Sequence, residues 1–224
     1  MTPEQLAEIQ RLRDRQVNPK QIARKLSLRP AEVKAAIQDI AAAQSAKGEL
    51  APVERCSVNS GMVDALFNPT QTKDSETLGL GNVMVVRNER GRLVASIFLV
   101  DYYCLGVKNA MIKKFNNINQ LNNIQDTVFA QFDEAVVEVS LAQAKAIVFG
   151  AEDYARSLGL APHKDYEKAK QQLGERPETL PELTFGRNGK PFYFQGPYDN
   201  SEKIIATLNK SVGEGNYDWT MAML

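Results

Sequence analysis

The stretch NVMVVRNERGRLVASIFLVDYY, residues 82–103, decides the fold of the larger part of this 224-residue chain. Two runs rich in β-branched and aromatic residues, Val83 to Arg87 and Leu93 to Asp101, flank the polar turn sequence Asn88-Glu89-Arg90-Gly91, which predicts two strands. Residues 97–100 are apolar at every position, a pattern typical of a strand that is buried on both faces. We therefore expect a central strand in a sheet that is covered on both sides.

Further signals downstream predict a mixed α and β organisation. Ser140 and Gln143 form a capping-box pattern at the start of an apolar-faced helix that ends at Gly159. The Asn-rich passage 109–125 has poor periodicity, and we expect a loop or a mobile helix beside a cleft. The other predicted elements are a helix over 165–173, a hairpin centred on Asn188-Gly189, a helix over 201–212 and a half-buried strand over 217–223.

Residues 1–45 contain apolar side chains at helical spacing in three short segments. Thr2 can cap the first segment and Asn18 the second, and proline at positions 3, 19 and 30 suits the first turn of a helix. In NPKQIARKLSLRPAEVKAAI, residues 18–37, small Ala23 allows two helices to approach closely, while Leu26 and Leu28 bracket the turn between them. The pattern predicts three helices.

The stretch 18–37 resembles the helix-turn-helix (HTH) of site-specific recombinases and sigma-factor-like regulators. The resemblance implies that the third helix would enter the major groove of duplex DNA. Two residues depart from the pattern. Ser27 stands in the turn where Gly is often found, and Arg29 stands where Ser or Thr would normally cap the third helix.

The sequence therefore predicts an α+β protein with two units. We expect a small three-helix HTH domain over 1–45, a linker over 46–60 and a larger mixed domain over 61–224. The linker is predicted from small and polar residues together with Gly48 and Pro52.

Charge separates the two units although the whole chain is neutral. Residues 1–50 contain nine basic and six acidic side chains, whereas residues 51–224 contain eighteen and twenty-one. Between Arg11 and Lys34, eight basic residues stand beside two acidic ones. A localised basic patch favours contact with a polyanion, and we expect nucleic acid, with duplex DNA favoured. The predicted contact residues are Lys20, Arg24, Lys25, Arg29, Lys34 and Gln38.

Chemistry in the larger domain has only weak candidates, which are Asp101, Lys108, Glu152 and His163. A carboxylate after an apolar strand can serve proton transfer, or it can accept hydrogen bonds from its own turn. His163 can act as a general base if an acidic neighbour orients it, or it can be a capping side chain. The carboxylates 101, 133, 134, 152 and 153 are numerous enough for Mg²⁺ but match no known spacing.

No cofactor or bound metal is expected. The chain contains no phosphate-binding glycine loop and no dinucleotide fingerprint, and one His with two Cys does not make an ordinary zinc site. Cys56 and Cys104 are expected to be reduced, and Cys104 is a nucleophile only if a base lies near it.

Three strings in the larger domain, FLVDYYCLGVK, LGLAPHKDY and FGRNGKPFYFQGP, resemble a family of uncharacterised bacterial proteins, some with a preceding HTH segment. That resemblance implies that the strings belong to one domain, and it implies no catalytic residue.

The polar N-terminus and the lack of an 18-residue apolar run predict a cytoplasmic protein that does not enter a membrane. The favoured function is DNA binding by the helices, while the larger domain senses, forms a homo-oligomer or acts. Two alternatives stay open: a metal-dependent enzyme that processes nucleic acid, and an adaptor that binds a protein partner without nucleic acid.

Overall fold

The chain is an α+β protein in which helices accompany an antiparallel sheet. The computed structural model describes residues 1–14, 17–46, 50–68 and 78–221. The helices are α1 (Pro3–Asp14), α2 (Pro19–Lys25), α3 (Pro30–Ala46), α4 (Ser60–Phe67), α5 (Ile118–Phe129), α6 (Leu141–Ser157), α7 (Tyr166–Ala169, followed by a 3₁₀ turn, Lys170–Leu173) and α8 (Ser201–Ser211). The strands are β1 (Val53–Asn59), β2 (Leu80–Glu89), β3 (Arg92–Asp101), β4 (Gly106–Phe115), β5 (Val136–Glu138), β6 (Phe192–Gln195) and β7 (Asp218–Met221).

The main sheet has the strand order β4-β3-β2-β1-β5, and each neighbouring pair is antiparallel. Successive side chains of β3 point to opposite faces. Phe98 and Val100 pack in the core that includes α6, whereas Ile97 packs in the core that includes α5. The prediction of a central strand covered on both sides is confirmed.

Helix α6 forms where the capping pattern predicts it. The Ser140 hydroxyl accepts the backbone N–H of Gln143, and the Gln143 side chain accepts the N–H of Ser140. Ile147 and Val148 are fully buried against the sheet, and each such side chain stabilises the fold by about 2 kcal/mol. Gly159 follows the helix with φ +77°, a conformation that favours glycine.

The expectation of a loop or a helix over residues 109–125 is wrong for residues 109–115, which belong to β4, whereas residues 118–125 do lie in a helix. Asn109 lies within β4, opposite Leu99 of β3. Helix α5 follows, and the Asn117 side chain caps it by accepting the N–H of Gln120. The helix has little apolar periodicity in its sequence, because its buried side contains few apolar residues, among them Leu121 and Phe129.

The predicted linker over 46–60 is also wrong for much of its length. Residue 46 still belongs to α3, and residues 53–59 form β1, which pairs with β2 on one side and β5 on the other. Cys56 and Val58 are buried in the core beneath α6. Pairing with distant strands therefore overrides the small, polar composition of this segment, and the sheet begins at Val53.

The last part of the chain follows its predicted elements with one change of pairing. Asn188 and Gly189 have φ values of +54° and +78° in a tight turn, but no two-stranded hairpin extends from it within the described residues. Strand β6 pairs in parallel with β7 instead. All four residues of β7 are exposed, so the expected half-buried strand is wrong there, and residues 222–224 lie outside the described ranges.

Helices α1, α2 and α3 share a small apolar core of their own, formed by Ile9, Leu12, Ile22, Ala23, Val33 and Ala36. The Thr2 hydroxyl accepts the N–H of Gln5, and the Asn18 side chain accepts the N–H of Lys20, so both predicted caps are confirmed. Ala23 is buried, which fits its predicted place at the close approach of α2 and α3. These caps and contacts place polar side chains of α2 and α3 on the outside. We call α1 to α3 the helical unit and the rest of the described chain the sheet unit.

Candidate nucleic-acid interface

Helix α2 exposes three basic side chains, those of Lys20, Arg24 and Lys25. Lys20 and Arg24 are four residues apart and therefore neighbours on the helix surface, where like charges destabilise an isolated helix by about 0.3 kcal/mol. None of the three forms an ion pair with any residue that the structure describes. Their positive charge is therefore available to an external anion.

The turn from α2 to α3 contains an unusual backbone conformation. Ser27 has φ +54°, in the left-handed region where glycine has no steric penalty. Ser27 adopts this conformation although its side chain incurs a steric penalty that glycine would avoid.

Arg29 is engaged by its neighbour Glu32. The guanidinium Nη2 lies 2.6 Å from Glu32 Oε1, and the backbone N–H of Arg29 donates to Glu32 Oε2 at 3.0 Å. The Glu32 carboxylate thereby satisfies the backbone N–H of Arg29, as the third residue of a helix does in one half of a capping box, whereas Arg29 has no side-chain acceptor for the first turn of α3. The hydrogen bond from the Arg29 side chain is the main reason that the pKa of Glu32 is lowered. The charge of Arg29, a predicted DNA contact, is thus partly neutralised, although its side chain is 83% exposed.

The remaining predicted contacts lie on α3. Lys34 is exposed and forms no ion pair within the described ranges. Gln38 is exposed as well, but it also lines a cleft of about 40 Å³ between the helical unit and the turn that joins β2 to β3. Arg90 and Gly91 of that turn line the opposite side of the cleft. Gln38 therefore marks the border between the helices and the sheet unit.

Three arginines outside the predicted contact set have other surroundings. Arg11 is paired with Glu8 of its own helix at 2.7 Å. Arg13 is mostly buried and lies 3.3 Å from Glu54 of β1, so it joins the helical unit to the sheet unit. Arg15 lies outside the described residues. The acidic sheet unit thus neutralises Arg13 but leaves the basic side chains of α2 uncovered.

Asp101 is a buried carboxylate whose hydrogen bonds are local. It accepts the backbone N–H groups of Tyr103 at 3.1 Å and Cys104 at 2.8 Å. Burial raises the pKa of Asp101 to about 6, although these hydrogen bonds and the charge of Lys108 oppose the rise. Burial also raises the pKa of the Cys104 thiol, which is therefore a poor nucleophile. The Asp101 carboxylate thus holds the turn between β3 and β4 together, while Cys104 is buried in an apolar cluster.

Lys108 forms an ion pair that closes a loop. Its Nζ lies 2.8 Å from Asp199 Oδ2, and the same oxygen accepts the N–H of Gly196. The Tyr193 hydroxyl is 3.4 Å away from it. These contacts link the start of β4 to the loop between β6 and α8. Lys108 thus has a structural partner for its charge.

Glu152 of α6 lies in a separate polar network. Its carboxylate accepts the Tyr166 hydroxyl at 2.6 Å and the Arg156 guanidinium at 2.8 Å. Burial alone would favour the neutral acid, but the hydrogen bonds from Tyr166 and Arg156 hold the pKa of Glu152 below its usual range. An ionised, fully partnered Glu152 joins α6 to α7.

His163 has a capping role next to β4. Its backbone N–H donates to the carbonyl of Val107, and its ring Nδ1 accepts the N–H of Asp165 at 3.3 Å. No hydrogen bond or ion pair joins His163 to Asp101 or Glu152 in the described part of the chain. Asp101 and Lys108 thus interact only through their charges, and all four weak catalytic candidates have separate hydrogen-bond or ion-pair partners.

The acidic side chains that the structure describes do not form a cation site either. Among the described residues, no three His, Cys, Asp or Glu side chains are grouped so that they could hold a metal ion. Glu134, one of the carboxylates considered for Mg²⁺, accepts the N–H of Gly61 at 3.0 Å.

The three distinctive strings of the larger domain meet around the end of β3. The N–H of Gly186 donates to the carbonyl of Tyr102, the N–H of Phe192 donates to that of Tyr103, and His163 bonds Val107. These contacts join the three strings in one packed structural centre.

Sequence reasoning missed one group of residues that shapes the candidate interface. Glu54 contacts both Arg13 of α1 and Asn88 of β2, each at 3.3 Å. The Asn88 side chain in turn accepts the N–H of Gly91 at 2.9 Å. The sequence predicts the turn around Asn88, but it does not predict that this turn lies beside the helices.

Comparisons of the chain with protein families, with curated proteins and with solved structures find no match. Both resemblances noted from the sequence therefore stay predictions. Within the described ranges, no helix has the length and apolar character needed to cross a membrane.

Proposed function

We propose that this protein binds duplex DNA through the helical unit, with α2 and α3 acting as a helix-turn-helix. One observation supports this function above all others. Lys20, Arg24 and Lys25 are exposed side by side without ion pairs among the described residues, although the rest of the chain has an acidic excess. Phosphate groups are the ligands that such a surface attracts most strongly.

The two helices have different roles in this proposal. The basic residues of α2 contact the sugar-phosphate backbone, which positions the protein without selecting a sequence. Helix α3 enters the major groove, where Lys34 and Gln38 can reach base edges or phosphates. Ala31 and Ala35 of the same helix are exposed as well, but they cannot form such contacts. We therefore expect modest sequence selectivity from α3 alone.

The enzyme alternative receives no support from the arrangement of its candidate residues. Asp101, Glu152 and His163 each have their own structural partners, described above. The adaptor alternative predicts instead that the exposed side chains of α2 are irrelevant to DNA.

The test is a titration of fluorescently labelled duplex with the full chain at several salt concentrations. Each phosphate contact contributes about 0.9 to the slope of log affinity against log salt. The variant Lys20→Gln, Arg24→Gln, Lys25→Gln should lower the magnitude of that slope by about 2.7 and weaken binding by at least about 100-fold at 0.1 M salt.

The matched control is Lys203→Gln with Lys210→Gln, which removes exposed positive charge from α8. This control should bind DNA as the unmodified protein does. Absence of salt-dependent binding by the full chain would refute the proposed function. Equal losses in the α2 variant and the α8 control would refute the assignment to α2.

A further inference from the structure

Arg90 occupies a backbone conformation that arginine does not favour. It has φ +54° and is followed by Gly91 with φ +86°, and the two form the connection between Glu89 of β2 and Arg92 of β3. Two positive φ values are those of a type I′ turn, whose first position favours Asn, Asp or Gly. A longer side chain is disfavoured there, because its Cβ approaches the following carbonyl oxygen. The stability of the turn therefore does not explain the arginine.

The turn is fixed beside the helical unit. Glu54 joins Arg13 of α1 to Asn88, and Asn88 accepts the N–H of Gly91, so a chain of polar contacts runs from α1 to the turn. Across the cleft, Gln38 of α3 faces Arg90 and Gly91. The turn thus lies next to the helix that the proposed function places on DNA.

The same turn is positively charged and open to solvent. Arg90 and Arg92 are exposed, and neither forms an ion pair with a residue in the described ranges. Lys113 is exposed on the adjacent strand β4, opposite Ala95 of β3. Within the described chain, the turn itself therefore has two free cationic side chains, while the carboxylate of its one acidic residue, Glu89, pairs with Lys114 of β4 at 3.7 Å.

We infer that the β2–β3 turn is a second part of the DNA interface, in which Arg90 and Arg92 bind phosphates flanking the site of α3. This inference rests on the proposed function of the helical unit. Cationic groups complement the phosphodiester backbone, and two contacts from a rigid sheet fix the angle at which α3 approaches the duplex. Limited base contacts from α3 would then be oriented by the sheet unit.

The experiment uses the full chain and the same labelled duplex. Arg90→Asn with Arg92→Gln removes both charges, and Asn tolerates the positive φ of position 90. The expected result is a loss of affinity of at least about tenfold at 0.1 M salt and a slope lowered by about 1.8. Arg90→Lys with Arg92→Lys keeps the charges and should retain most of the affinity. Thermal unfolding of each variant checks that the fold is intact.

DNA binding by the helical unit and phosphate binding by the β2–β3 turn are refuted by different results. If the unmodified chain shows no salt-dependent binding, the proposed function itself is wrong. If the chain binds and depends on α2, but the Arg90 and Arg92 double variant matches it in affinity and slope, the turn is not part of the interface. The α8 control must also retain full affinity, since an equal loss there would attribute the effect to net charge and overturn the inference.

Discussion

Helix α2 and the interior of the sheet unit differ in how their charged side chains are partnered. In the sheet unit, Asp101, Lys108 and Glu152 are buried or half-buried, and each is held by several hydrogen bonds or an ion pair. In the helical unit, Lys20, Arg24 and Lys25 are exposed and have no ion pair among the described residues. Charged groups that satisfy one another stabilise a fold, whereas charges left without partners are available to a ligand. The difference explains why the buried charged residues of the sheet unit are poor guides to function.

The strongest test of this difference removes the buried carboxylate of Asp101. Asp101→Ala leaves the N–H groups of Tyr103 and Cys104 without their acceptor and creates a small cavity. We expect a decrease of about 4 kcal/mol in the free energy of unfolding, measured by urea titration. DNA affinity of the folded fraction should not change. A stable variant with altered DNA binding would contradict the structural role.

A second test uses pH. The ordinary pKa of Asp101 is 3.8, and burial raises it to about 6 in the folded protein. The folded state therefore binds a proton at this carboxyl more tightly than the unfolded state does. The resulting stability is fully present below pH 3.8 and is lost as the pH rises through about 6, a change of about 3 kcal/mol.

Urea titrations from pH 4 to pH 7 would measure this contribution. Asp101→Asn keeps an acceptor oxygen and cannot ionise, so its stability should fall less with pH than that of the unmodified chain. If the free energy of unfolding depended on pH equally in the two proteins, the pKa of Asp101 would not be raised by burial. The difference between the partnered charges of the sheet interior and the free charges of α2 would then be smaller.

The smallest expected effect concerns the turn between α2 and α3. Ser27→Gly removes the steric penalty at φ +54° but makes the unfolded chain more flexible. We expect a net gain of at most about 1 kcal/mol in the free energy of unfolding, observed as a higher midpoint in thermal unfolding. DNA affinity should stay the same, because Ser27 is not a predicted contact. A marked loss of stability would show that the Ser27 side chain has a role in the turn beyond its backbone conformation.

Local signals made parts of the fold predictable. Asn18 and Ser140 act through hydrogen bonds to residues two or three positions away, and the β2–β3 turn is set by adjacent residues. Strand β1 could not be recognised, because its partners lie in β2 and β5, far along the chain. Strand β4 was hidden for the same reason, since its pairing with β3 outweighs the polar character of its sequence.

The candidate interface was predictable to a similar extent. The exposed positions of Lys20, Arg24 and Lys25 follow from helical periodicity around Ile22 and Ala23. The place of Arg90 beside α3 was not predictable, because it depends on the contact between Arg13 and Glu54, which are 41 residues apart. Likewise, the capture of Arg29 by Glu32 depends on side-chain conformations that spacing alone does not fix.

Strand β1 connects the helices directly to the interior of the sheet. Six residues separate the end of α3 at Ala46 from Val53, and β1 lies between β2 and β5. A mechanical pull on the helices would therefore act parallel to β1 and stress its backbone hydrogen bonds to both β2 and β5. Force would be shared among many bonds at once, and the anchor should resist detachment better than a terminal edge strand could.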